Sequence, residues 1–139
     1  MPRRQFAKYL TAAGLAAAFG GLIIFIRARK NSYPIKVVAH VGDIPVGGMK
    51  IISYPNDEHP CFLLHPSDGT FLAFSRLCTH AACPIFYRPE EHIFACPCHG
   101  GVFSAVDGSV LGGPPPKPLP RVRLEVRDQD LVATGMDQT

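Results

Sequence analysis

The sequence predicts an all-β domain of roughly 100 residues, carried behind a single apolar helix. Three observations carry that reading. Fourteen prolines and thirteen glycines among 139 residues would break or weaken helices along most of the chain. Beyond residue 36, apolar residues fall in short runs of Val, Ile, Leu and Phe punctuated by turn residues. Tyr9 to Ile26, by contrast, is eighteen residues without a charge. With 47% hydrophobic and 18% charged residues the chain is globular, and its length suits one compact domain.

As a helix, residues 9–26 would span about 27 Å, enough to cross a hydrocarbon core of about 30 Å with snorkelling flanks. A buried core helix would show a polar stripe, and only Tyr9 and Thr11 are available to supply one. Ahead of it, Arg3-Arg4-Gln5-Phe6-Ala7-Lys8 resembles the bacterial twin-arginine export signal. Three basic residues precede the helix and three follow it (Arg27, Arg29, Lys30), so loop charge alone does not orient it. The export resemblance does. It implies a single-pass protein of the bacterial cytoplasmic membrane, its domain exported folded to the outer side. No small-x-small cleavage site follows Ile26, so residues 1–30 are expected to persist as a signal anchor. These thirty residues hold six of the fourteen basic side chains and no acid, which leaves the domain at −3. A nucleic-acid binder would carry its positive charge on the folded domain, so no nucleic-acid partner is expected.

Residues 31–36, with Pro34, read as a polar hinge into a domain over 37–139. Strands are predicted at Lys36–Val41, Met49–Tyr54, Cys61–His65, Thr70–Phe74, Val122–Val126 and Leu131–Thr134. Turns separate them at Val46-Gly47-Gly48, Tyr54-Pro55-Asn56-Asp57, Pro66-Ser67-Asp68-Gly69 and Asp107-Gly108. Arg121 to Arg127 alternates, placing Val122, Leu124 and Val126 on one face. No internal repeat is present, and the proline run at 114–120 is the one low-complexity tract.

The chemistry lies between residues 78 and 101. Cys78-Thr79-His80-Ala81-Ala82-Cys83 is followed by Cys96-Pro97-Cys98-His99-Gly100-Gly101, so four of five cysteines fall in two short segments, each with a histidine. Thiolate plus imidazole suits zinc, iron or copper. Zinc on Cys78, His80, Cys96 and His99 would leave Cys83 and Cys98 unexplained and would use unusual spacings. Two disulfides alone would give no reason for the histidines.

At these residues the sequence resembles the Rieske iron–sulfur proteins, through the pattern Cys-x-His, fifteen residues, then Cys-x-x-His. The resemblance covers about residues 36–134 and implies small antiparallel sheets with a cluster-binding subdomain. It implies one [2Fe-2S] cluster, with Cys78 and Cys96 on one iron and His80 and His99 on the other. Mixed ligation of this kind raises the potential to about −150 to +300 mV, against about −400 mV for all-cysteine ferredoxins. Exchanging two thiolates for neutral imidazoles removes negative charge, so reduction is penalised less. Cys83 and Cys98 match a disulfide that braces the cluster loops in the membrane-anchored, quinol-oxidising branch, and a disulfide agrees with export. Gly112 to Leu119, with Pro114 at its start, resembles that branch's proline loop over the cluster.

Three positions depart from the branch pattern. Ala81 stands where a Leu is typical, Gly101 where a Ser hydroxyl donates to a sulfide, and Phe103 where a Tyr donates to a ligand sulfur. Missing donors destabilise the reduced cluster, so the potential is expected on the order of 100 mV or more below donor-bearing relatives, which suits a menaquinol-type quinol. The expected role is one-electron transfer, with a proton taken on His80 or His99, from quinol on a cytochrome b-type subunit to a c-type cytochrome. The alternative is the small Rieske subunit of another exported oxidoreductase, such as an arsenite-oxidase-type molybdenum enzyme. A structural or metal-storage module gains nothing from mixed ligation. No nucleophile or general acid–base for an organic substrate stands out, so catalysis would belong to a complex. Cys61 reads as a buried free thiol, and His40, His59, His65 and His92 as surface or strand histidines without ligand spacing.

Replacing Arg3 and Arg4 together by Lys should trap the protein inside the cell, as read by fractionation. Unimpaired export would mean that residues 3–8 are only flanking charge.

Overall fold

The alternating runs and turns of residues 33–137, the part described by the computed structural model, form two antiparallel sheets. Strands β1 (Lys36–His40), β2 (Met49–Ser53), β3 (Pro60–Leu64), β4 (Leu72–Ser75), β9 (Arg121–Arg127) and β10 (Asp130–Asp137) build a six-stranded sheet in the order β1-β10-β9-β4-β3-β2. Strands β5 (Phe86–Arg88), β6 (Ile93–Ala95), β7 (Val102–Ser104) and β8 (Val110–Gly112) form a four-stranded meander. The apolar segment 9–26 lies outside the described residues. Among the described residues no helix is long and apolar enough to cross a membrane.

All six strands predicted from the sequence belong to the larger sheet, with small shifts at their ends. Thr70, expected in β4, stays in the preceding turn because Asp68 accepts from both its N–H (2.9 Å) and its hydroxyl (2.7 Å). The alternation of β9 holds for Val122, which is buried, and fades along the strand until Val126 is 59% exposed. Of the stretch read as a hinge, residues 33–36 are tied to the domain: the buried Tyr54 donates its hydroxyl to the Pro34 carbonyl at 2.9 Å. Lys36 already pairs with Ala133.

The smaller sheet is an insertion. β4 and β9 pair directly (Ala73 with Val122, Phe74 with Arg121), and residues 76–120 leave and re-enter between them. The Ser75 N–H closes the neck on the Pro120 carbonyl at 2.9 Å.

β3 explains how the two sheets hold together. Four of its five residues, Cys61 to Leu64, are buried, which fits a near-continuous apolar run rather than alternation. Cys61 and Leu63 join a core with Tyr54, Ala73, Val122 and Leu131. Phe62 and Leu64, with Phe74 of β4, join a second core with Phe94 and Phe103 from the inserted sheet. Phe94 is its hub. It stacks on Phe62 at 4.9 Å, meets Phe74 edge-on at 5.8 Å and lies 5.5 Å from the Tyr87 ring. Each such aromatic pair adds about 0.5–1.5 kcal/mol beyond its burial.

Phe94→Ala should cost about 3–5 kcal/mol in equilibrium denaturation and release the inserted sheet first. A loss below about 1 kcal/mol would mean that the second core does not depend on this ring.

Candidate metal centre

Cys78 follows β4 closely, and Cys96 directly follows β6, so both loops leave the same end of the buried second core. Their backbones repeat one pattern. The Cys78 N–H donates to the Cys83 carbonyl (2.9 Å) and the Ala82 N–H to the Cys78 carbonyl (2.8 Å). In the second loop, Cys96 donates to Gly101 (2.7 Å) and Gly100 to Cys96 (3.1 Å), at the same offsets. The fourth residue after each cysteine has a left-handed backbone: Gly100 at φ 69°, and Ala82 at φ 53°. Glycine adopts that conformation freely, whereas alanine does so at a cost of about 1–2 kcal/mol. Aligning the two loops on their cysteines would have revealed this from sequence, and the motif reading passed over it.

The four predicted ligand side chains divide by burial. Cys78 and Cys96 are each 4% exposed, while His80 and His99 face solvent. The two imidazoles stand edge-on, their centroids 4.9 Å apart. Burial pushes the Cys78 thiol up; backbone N–H groups of His80 and Ala81 oppose this, and the adjoining Cys96 thiol reinforces it. Ionising the buried Cys78 thiol therefore requires positive charge beside it, which iron would supply, and the two imidazoles at the surface would complete a mixed donor set. The residues fit a Rieske-type cluster.

Cys83 and Cys98 form a disulfide that ties the two loops together, with Cα atoms 6.5 Å apart. The Cys96 sulfur lies within 4.8 Å of both bridge sulfurs, which as a bonded pair have no thiolate to offer a metal. The third brace is the proline loop. The Thr79 hydroxyl donates to the Lys117 carbonyl at 2.7 Å, fastening that loop to the first cluster loop. On the second, Gly113 (φ 84°) comes so close that an added Cβ would stand 2.6 Å from the Gly100 carbonyl oxygen. Pro115 is buried against Gly101, whereas Pro114, singled out from the sequence, is exposed. Thr79 was not found by sequence reasoning, since nothing local marks it, and Pro115 entered only as one member of the proline loop.

Phe103 is fully buried in β7, in the same core cluster as Cys78 and Cys96. Cys61 lies in the other core, its thiol pushed up to about 12 by burial, and takes no part in the site. The remaining histidines have other partners or none of these. His40 meets Asp130 (2.6 Å), His59 meets Asn56 (2.6 Å), His65 meets the Ile44 carbonyl (2.7 Å), and His92 is exposed.

Two antiparallel sheets, one inserted in the other and carrying paired Cys/His loops, define an all-β metalloprotein domain. The chain belongs to the Rieske [2Fe-2S] domain family, which it matches over residues 35–123, and the domain binds one [2Fe-2S] cluster. It is 32% identical over 97 residues to the cytochrome b6-f complex iron-sulfur subunit of Chlorobaculum tepidum, covering 70% of this chain and 51% of that protein. The chain thus spans about half the length of that relative. Cytochrome b6-f complex iron-sulfur subunit 3 of Nostoc sp. is 28% identical over 159 residues, covering 100% of this chain and 88% of that one. Among solved structures, a chain of a hyperthermophilic respiratory Complex III matches with TM-score 0.59 and 26% identity, over 90% of this chain and 98% of that chain.

The shared loop backbone makes a paired test. Ala82→Gly should stabilise the protein by about 0.5–1 kcal/mol, relief of the left-handed strain outweighing the added chain entropy. Gly100→Ala should cost about 1 kcal/mol in the same denaturation experiment. A destabilising Ala82→Gly, or a Gly100→Ala that costs nothing, would refute the loop equivalence.

Proposed function

We propose that this chain is the Rieske subunit of a bc- or b6-f-type quinol-oxidising complex, with Cys78 and Cys96 holding one iron and His80 and His99 the other. One observation carries the reading: both thiols are buried while both imidazoles face solvent. Bound there, the [2Fe-2S] cluster supplies one-electron redox chemistry at a potential raised by its imidazole ligands.

The chain's own residues set the rest. The buried cysteines keep the negative charge inside, away from water. The imidazole nitrogens of His80 and His99 that are not committed to metal face the medium, where one accepts the proton of a quinol hydroxyl. The Cys83–Cys98 bridge and the proline loop hold both histidine loops in one orientation for that encounter. Ala81, small and exposed beside His80, leaves this tip smooth. The partners are a cytochrome b-type subunit carrying the quinol and a c-type cytochrome that receives the electron.

Residues 9–26 anchor the protein in the bacterial cytoplasmic membrane with the domain outside, after twin-arginine export. Tyr54 fastens Pro34 to the domain, so that part of the stretch read as a hinge moves with the domain. The absence of a hydroxyl at both Gly101 and Phe103 supports a low potential and a menaquinol-type donor.

Purification from the native membrane tests the reading: b- and c-type haem should accompany the chain. A pterin in their place would support the molybdenum-enzyme alternative. The purified protein should titrate as a single one-electron centre, and Phe103→Tyr should raise its potential by about 40–90 mV if the new hydroxyl reaches a sulfur. An unmoved potential with a loss of about 1–3 kcal/mol in stability would mean that the hydroxyl is buried without a partner, and the donor argument falls.

A further inference from the structure

Position 101 lies inside the second loop, buried, and its carbonyl accepts the Cys96 N–H. A Cβ added there would stand 2.7 Å from Pro115 Cγ, 3.2 Å from Pro115 Cδ and 3.5 Å from Cys96 Cβ. The obstacle is a ring atom, which can shift only by a change of pucker and not by the free rotation of an open side chain. The backbone on either side of Pro115 is also held. Gly113 lies against the second loop, where its Cβ position is 2.6 Å from the Gly100 carbonyl oxygen and 2.8 Å from Gly101 Cα. Lys117 is fastened by the Thr79 hydroxyl at 2.7 Å. Pro115 is therefore pinned two residues away on both sides and cannot retreat without breaking one contact.

We propose that Gly101 is a positioning residue for the metal centre: its missing side chain lets the Pro115 ring lie directly on the second loop, giving an apolar cover next to Cys96. Gly101 is then more than a site lacking a hydroxyl. The space a side chain would take is filled by another residue, so donor and cover exclude each other here. An apolar cover also favours the less charged, oxidised cluster, which acts in the same direction as the missing donor. The inference rests on the ligand set proposed above.

Four forms of the full chain test it: wild type, Gly101→Ser, Pro115→Ala and the double variant. Each is loaded with its cluster and followed by redox titration and by the loss of visible absorbance under excess chelator. Gly101→Ser alone should lose its cluster severalfold faster than wild type, because the serine displaces the proline loop. The double variant should regain retention close to that of Pro115→Ala, and its potential should stand above that of Pro115→Ala, because the hydroxyl now has room beside the cluster. Gly101→Ser retaining the cluster as wild type does, with the same potential as the double variant, would overturn the inference alone. So would a double variant that loses its cluster as fast as Gly101→Ser. A wild-type chain that takes up no cluster would overturn the ligand set and this inference with it.

Discussion

Phe94 has no exposed surface, stacks on Phe62 of the larger sheet, and lies on the strand that Cys96 directly follows, two residues ahead of it. The position of the metal-binding loops follows from that burial. An inserted sheet of three-residue strands buries too little surface to stand alone, so it borrows a core from the sheet it is inserted in. β3 makes this possible by being apolar on both faces, with Cys61 and Leu63 serving one core and Phe62 and Leu64 the other. A strand of that kind has no solvent face to spare. The cores therefore share a wall, and the loops project from the far end of the second.

The loops themselves are held by three kinds of constraint. Hydrogen bonds from Cys78 and Cys96 to carbonyls five residues on give each loop its shape. The Cys83–Cys98 bridge fixes one loop against the other covalently. The proline loop reaches both, through Thr79 on one side and through Gly101 and Gly113 on the other. Stiffness matters in a one-electron carrier, because a site held alike in both redox states spends little energy on rearrangement. The division of ligands fits the same logic. Under the proposed assignment the buried thiolates need a cation beside them and imidazoles at the surface do not, which leaves the histidines facing outward toward a partner.

The six strands of the larger sheet were readable because each has at least four residues and a turn on either side, long enough for composition to register. The family motif was readable because its Cys-x-His and Cys-x-x-His spacings are each local to one loop. The pairing of Cys83 with Cys98 entered only through the family resemblance, and the fold places the two together. β5 to β8 escaped, since three residues cannot display an alternation and most of them border ligand loops whose motifs dominate the reading. Which ring of the proline loop turns inward was not legible, because within a run of prolines the sequence offers no sign of it; the fold buries Pro115 and leaves Pro114 exposed.

What the sequence by itself determined was whatever depends on neighbours within a few residues: turn chemistry, strand composition, ligand spacing and the surplus of prolines and glycines. The tertiary structure decided the relations between distant residues, namely Phe62 with Phe94, Thr79 with Lys117, Tyr54 with Pro34 and Gly101 with Pro115. Such pairs carry no local signature. A glycine that makes room for a proline fourteen positions later looks, in one dimension, the same as a glycine in any turn, and only the approach of the two backbones gives it a task.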